Sequence, residues 1–221
     1  MRSLLVISVL LFAVTAEAAP IRRLFQDVKL PTQAVLEHET IVDPILADTD
    51  YAIETHAGAT SAAAVSITTF AHQPDVARNL TITPTGTTAD VKGCTITVSG
   101  TNVFGVAITE AFVIPDNHAA AVVGAKAFKT VTSVSFPADC EEDTFAATWI
   151  VGVGSKLGLN RCTANAGAYA FSVFDGAYES TRGTLAADAD EVEKNTFTAN
   201  GTMNGAKDVE LYYVQNFACF Q

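Results

Sequence analysis

The sequence predicts an all-β protein, an antiparallel β-sandwich of jelly-roll or immunoglobulin-like type with an extended N-terminal arm, and three observations carry that prediction. Runs such as Arg78-Asn79-Leu80-Thr81-Ile82-Thr83-Pro84 and Cys94-Thr95-Ile96-Thr97-Val98 alternate apolar and polar residues, and a period of two is that of a strand with one buried face. Leu80 and Ile82, then Cys94, Ile96 and Val98, are expected inward, with the threonines toward water. Turn-forming residues recur at short intervals, among them Gly86, Asp116-Asn117, Asp175-Gly176, Asn200-Gly201 and Asn204-Gly205, as in a chain of many short strands. The composition leans to Ala, Thr, Val and Gly with only 17% charged residues, whereas a protein of long helices would carry more Glu, Lys and Leu.

The chain has 221 residues, 49% of them hydrophobic, which suffices for a substantial core. Its formal charge of -11 argues against a nucleic-acid surface, because phosphate binding needs clustered Lys and Arg. Residues 1–18 join Arg2, an apolar run from Leu4 to Val14 and the small residues of Ala16-Glu17-Ala18. This reads as a secretory signal, too short for a comfortable membrane span; an apolar anchor and an early start codon are the rival readings. Residues 19–50 carry scattered prolines, mixed charge and no sustained period, and are read as an arm in which residues 33–38 form at most a helical turn or two. Residues 51–221 are expected to form a single sandwich domain.

Within that domain, residues 51–55 and 63–70 read as short strands, the second with Val65 and Ile67 on one face, before His72-Gln73-Pro74-Asp75 breaks the chain. Strands resume at Asn79 and run through Val98. Residues 101–105 form a loop, and residues 106–114 a strand in which strict alternation places Glu110 beside Val106, Ile108, Phe112 and Ile114. Either a bulge near Thr109 turns Glu110 outward or Glu110 is a buried, chemically active carboxylate. Residues 119–129 are ambiguous between helix and strand; residues 131–136 form a strand with Val134 and Phe136 inward. Trp149 stands in register with Ala147, Val151 and Val153 as a core anchor, expected to pack on an aromatic face of Tyr169, Phe171 and Val173. Asp175-Gly176 predicts a tight hairpin returning through Tyr178. Residues 185–195 are an acidic loop or short helix, and residues 196–198 and 209–214 the final strands.

A search for chemistry returns no catalytic, cofactor-binding or metal-binding residues. His38, His56, His72 and His118 lie in expected loops or the arm, outside any metal-ligand spacing. Gly-x-Ser-x-Gly is absent, and Gly152-Val153-Gly154-Ser155-Lys156 lacks the Gly-Lys-Ser/Thr ending of a phosphate loop. Glu141-Glu142 reads as a solvated turn. Asn79-Leu80-Thr81 and Asn200-Gly201-Thr202 are formal glycosylation sequons, the first inside a strand. Cys94, Cys140, Cys162 and Cys219 form no CxxC pair; in an oxidising compartment they allow two bridges in any of three connectivities, while an inward Cys94 is also at home as a free, small hydrophobe.

An ordered series of segments resembles a family. Pro74-Asp75-Val76-Ala77-Arg78-Asn79, Gly86-Thr87-Thr88-Ala89-Asp90-Val91, Gly100-Thr101-Asn102 with Ile108-Thr109-Glu110, Lys126-Ala127-Phe128-Lys129-Thr130-Val131-Thr132-Ser133, and Gly152-Val153-Gly154-Ser155-Lys156-Leu157-Gly158-Leu159 are followed by Asn195-Thr196-Phe197 and Asn204-Gly205-Ala206-Lys207-Asp208-Val209. Their order is similar to that of tailed-bacteriophage virion structural proteins, over residues 52–214. The resemblance implies a small β domain present in many copies on the particle as a head decoration or cement subunit, without catalysis or cofactor. Its partners would be other virion proteins and copies of itself, a role that edge strands and the N-terminal arm suit as points of contact, with no nucleic acid and no membrane in the mature form. The alternative expectation, supported by the signal-like segment, the acidity and the cysteines, is a secreted bacterial β-sandwich that binds a surface, a glycan or another protein.

Overall fold

The computed structural model describes residues 35–57, 63–140, 147–163 and 165–216. The architecture is all-β, antiparallel and sandwich-like, as the sequence predicts. Fourteen strands are present among these residues: β1 (Val35–Ile41), β2 (Asp48–Ala57), β3 (Val65–Ile67), β4 (Arg78–Thr85), β5 (Cys94–Thr101), β6 (Ala107–Ile114), β7 (Val122–Phe128), β8 (Thr130–Phe136), β9 (Thr148–Gly158), β10 (Tyr169–Phe174), β11 (Ala177–Tyr178), β12 (Thr184–Ala186), β13 (Thr196–Thr198) and β14 (Val209–Gln215). They form three sheets. Sheet A has the order β1-β14-β10-β11, sheet B the order β12-β13-β9-β4-β7 with β2 also on β9, and sheet C the order β3-β8-β5-β6.

Two apolar cores follow from this arrangement. The first lies between sheets B and C and holds Leu80, Ile82, Ile96, Val98, Phe112, Phe128, Val134, Phe136, Trp149, Val151 and Val153. The second lies under sheet A and holds Ile41, Leu157, Leu159, Tyr169, Leu185, Phe197, Val209, Leu211 and Tyr213. β9 is the element common to both: Trp149, Val151 and Val153 enter the first core and Leu157 the second. One edge of β9 pairs with β4 throughout, and the other pairs with β2 and then β13. Such a strand must let neighbours approach closely. A Cβ on Gly152 would lie 2.0 Å from the Asp48 carbonyl oxygen, and one on Gly154 would lie 2.4 Å from the Asn79 amide, so only glycine fits at either place.

Trp149 is fully buried, but its surroundings differ from the expectation. It sits near Phe136, ring centroids 6.1 Å apart, in the first core, whereas Tyr169 packs on Phe197 in the second. The expected aromatic face of Tyr169, Phe171 and Val173 does not exist, because β10 is irregular between Tyr169 and Phe171. Tyr169 pairs with inward Tyr213, and Phe171 pairs with outward Tyr212. A bulge reverses the alternation there, which periodicity cannot anticipate.

Other expectations change in similar ways. Part of the expected arm is strand: β1 pairs with β14 over its full length, and β2 starts at Asp48. Its alternation was masked because one inward residue is Glu39. The β4 threonines do not face water, since the Asp48-Thr49 backbone lies over Gly152, the register partner of nearly buried Thr81. Within residues 119–129 the chain forms strand β7, Val122–Phe128. Asp175-Gly176 forms the expected hairpin, with φ of 53° and 73°. Cys94 is not free. It is bonded to Cys140, tying the start of β5 to the turn after β8, and Cys162 is also disulfide-bonded. Residues 1–18, the first part of the expected arm at residues 19–34, Cys219 and Glu141-Glu142 lie outside the described residues.

Candidate assembly interface

Several polar residues, Asp75, Arg78, Asn79, Lys156 and Asn195 among them, are drawn into contacts between distant parts of the chain. Arg78, fully buried at the start of β4, donates through Nε to the Gly154 carbonyl at 2.8 Å and through Nη1 to the Ile45 carbonyl at 3.1 Å. Nη1 also pairs with Asp75 at 3.0 Å, whose other oxygen accepts the Ile45 N–H at 2.8 Å. Asn79, also fully buried, accepts the Lys156 N–H at 2.9 Å, and the Lys156 ammonium donates to the Gly124 carbonyl at 3.1 Å. The buried Asn79 sequon is thereby an interior feature; Asn200 is exposed. Asn195 accepts from the Thr163 and Asp188 N–H groups and donates to the Asp188 and Glu191 carbonyls, which fixes the acidic loop before β13.

Glu110 belongs to the same set. β6 pairs with β5 in unbroken register, so no bulge turns Glu110 outward. It remains on the inward face, half-buried, and accepts the Ala125 N–H at 2.6 Å and the Lys126 N–H at 3.2 Å. Those donors belong to β7, an edge of sheet B, while β6 is an edge of sheet C. The carboxylate therefore joins two sheet edges, which accounts for an acid on an otherwise apolar face. The Lys126 ammonium continues outward to Glu191 and Glu193.

A second inward acid, Glu39 on β1, accepts the Asn160 N–H at 3.1 Å and the Tyr213 hydroxyl at 2.8 Å. Burial raises the pKa of both Glu39 and Glu110 above the ordinary value of 4.5, against the opposing pull of their hydrogen bonds. Burial, and then Glu39, pushes the Tyr213 phenol far above its usual range, so it remains the donor. For a carboxyl whose folded pKa is raised, the folded state holds more protons than the unfolded one, so stability falls as pH rises through the folded pKa. A Glu39→Gln/Glu110→Gln double variant is therefore expected to lose part of the parent's decline in stability as pH rises above the ordinary glutamate value of 4.5. Urea unfolding at several pH values measures this, and parallel profiles for the two proteins would refute it. The carboxylates of Asp188 and Glu191 have lowered pKa values, from backbone N–H groups and from Lys126 respectively. Their contribution is lost only as pH falls through those lowered values, a separate and more acidic window.

The outer face of sheet A is different in kind. His38, Tyr212 and Phe171 on adjacent strands stack ring on ring, with centroids 4.3 Å apart at each step and interplanar angles of 12° and 17°. Tyr178 of β11, more than half exposed, stands 6.2 Å beyond Phe171. His38 Nε2 lies 3.0 Å from the Glu210 carboxylate. This column of rings crosses the sheet and ends at His38 on β1, a strand that among the described residues pairs only on its β14 side. Val35, Leu36, Val42 and Leu46 are exposed on and just after β1. Exposed apolar and aromatic groups gathered at a sheet edge are the kind of surface on which another protein chain can dock. The expectation of contacts through β edges and the arm does not single out this strand or this column of rings, because β1 falls within the expected arm and only the bulge in β10 brings Phe171 to the outer face.

Among the described residues, no group of three or more His, Cys, Asp or Glu side chains is placed to hold a metal ion, and no helix is long and apolar enough to cross a membrane. No protein-family model, curated protein or solved structure matches the chain.

Proposed function

We propose that this chain is a non-enzymatic structural subunit of a tailed-phage particle, present in many copies as a head decoration or cement protein, contacting its neighbours through sheet A and its β1 edge. The observation that carries the reading is the use of the family-like residues: Arg78, Asn79, Glu110, Lys156 and Asn195 all bind other parts of the chain. Residues placed this way preserve a scaffold, and the contact surface lies elsewhere, on the open side of sheet A. Purified particles examined by mass spectrometry are expected to contain the chain at high copy number; its absence from them would overturn the proposal.

A second reading, a secreted β-sandwich that binds a surface or another protein, is favoured by the Cys94–Cys140 bond and the bonded state of Cys162. Following a tagged chain in a bacterial host separates the two. Cleavage after Ala18 with export supports secretion, and retention with incorporation into particles supports the virion role.

A further inference from the structure

We propose that the side chains of Lys156 and Asn79 join in an amide bond that the chain forms on itself, with Glu110 carrying the proton. The reaction ties β9 to β4 covalently and releases ammonia. It involves one chain only and goes beyond the assembly reading.

Two bulges build the site. On β9, Gly154, Ser155 and Lys156 stand against Asn79 alone, between the pairs Arg78↔Leu157 and Leu80↔Val153. On the other side of β4, Gly124, Ala125 and Lys126 of β7 stand against Leu80 alone, between the pairs Asn79↔Ala127 and Thr81↔Val123. Bulges re-aim side chains and take backbone groups out of the ladder. The first brings the Lys156 N–H to Asn79 Oδ1 at 2.9 Å. The second turns the Ala125 and Lys126 N–H groups to Glu110 and gives the Gly124 carbonyl two donors, Lys156 Nζ at 3.1 Å and Asn79 Nδ2 at 3.3 Å. Amine and carboxamide thus meet at one oxygen. Only glycine leaves room for this, since a Cβ at Gly124 would lie 2.7 Å from Glu110 Oε2 and 2.9 Å from Phe112.

Each group has a part in the chemistry. Asn79 is fully buried, so its carboxamide is held in one place and shielded from competing water. A lysine becomes a nucleophile once it gives up a proton. Glu110 is the carboxylate at hand, it feels the charge of Lys156, and its burial, which raises its pKa, favours taking a proton. Lys126, the other ammonium acting on Glu110, is held by Glu191 and Glu193, which leaves Lys156 to react. Glu110 first takes a proton from the Lys156 ammonium. Nζ then attacks Asn79 Cγ, and the Lys156 backbone N–H stabilises the charge developing on Oδ1. Glu110 passes its proton to Nδ2 as the Cγ–Nδ2 bond breaks and takes a second one from Nζ. The products are the Nζ–Cγ amide, ammonia and a protonated Glu110 that yields its proton to water; nothing is oxidised or reduced.

The test reduces and digests the full-length chain and maps its peptides by mass spectrometry. A branched peptide is expected that joins the Asn79 and Lys156 segments and is lighter than the two together by one ammonia molecule. Separate peptides of full mass would overturn the proposal. So would ammonia loss confined to one unbranched peptide, as when Asn200-Gly201 or Asn204-Gly205 cyclises. Lys156→Arg keeps the charge and Glu110→Gln the shape, and both are expected to lose the branched peptide while keeping the parent's circular dichroism spectrum. Branching that survives Glu110→Gln would overturn the role of Glu110. If that variant does not fold, Glu110→Asp, which withdraws the carboxyl, is expected to slow branching after refolding by roughly tenfold or more, and an unchanged rate would overturn the role equally. A chain abundant in particles but unbranched would remove this inference and leave the structural role standing.

Discussion

Arg78→Met is expected to destabilise the chain by about 3 to 5 kcal/mol, the usual consequence of removing one partner from a buried ion pair. The guanidinium is fully buried and joins three parts of the chain: the Gly154 carbonyl in β9, the Ile45 carbonyl before β2, and the Asp75 carboxylate before β4. Methionine fills similar space but leaves two carbonyls without donors and Asp75 without its counter-charge. For a domain of this size such a loss lowers Tm by roughly 6 to 20 °C. Arg78→Lys keeps the charge but not the planar fork, and a single ammonium cannot reach all three partners, so it too is expected to melt well below the parent. A lysine variant that melts with the parent would show that the fork is dispensable.

Trp149→Ala is expected to cost about 3 to 5 kcal/mol as well, a large share of a typical domain's stability. The whole indole lies in the first core near Phe136, and β9 carries the loss directly to Val151 and Val153. Its Nε1 has no hydrogen-bond acceptor among the described residues, so Trp149→Phe removes volume without breaking a hydrogen bond seen there and is expected to cost much less than the alanine change. Chemical denaturation of the two variants gives the comparison. Equal losses would mean that the indole nitrogen contributes to stability after all, and a parent-like alanine variant would mean that the ring is not a core element.

These two residues show different degrees of legibility in the sequence. Trp149 was placed in the core by its register with Val151 and Val153, because a strand with one buried face writes its burial into alternate positions. Its partners are not legible there, since which core a strand end enters depends on sheets assembled from distant segments. The significance of Arg78 and Glu110 was similarly hidden. Their partners lie at Gly154 and at Ala125 and Lys126, and backbone groups have no signature in sequence. Glu110 suggested a bulge because an inward acid violates the pattern; the pattern was sound, and the acid is satisfied by the edge of another sheet.

What the sequence by itself determined is the local layer: antiparallel strands, their inward residues in β5, β8 and β9, and the Asp175-Gly176 hairpin, all governed by alternation and by the φ preferences of a few residues. Only the tertiary structure decided the rest. It made β1 a strand by giving Glu39 the Asn160 N–H and the Tyr213 hydroxyl, and it chose the Cys94–Cys140 bond among three possible connectivities. It also moved Phe171 to the outer face through a bulge, completing the column of rings at the open edge. Each of these depends on a contact between residues far apart in the chain, and such contacts exist only once the sheets have come together.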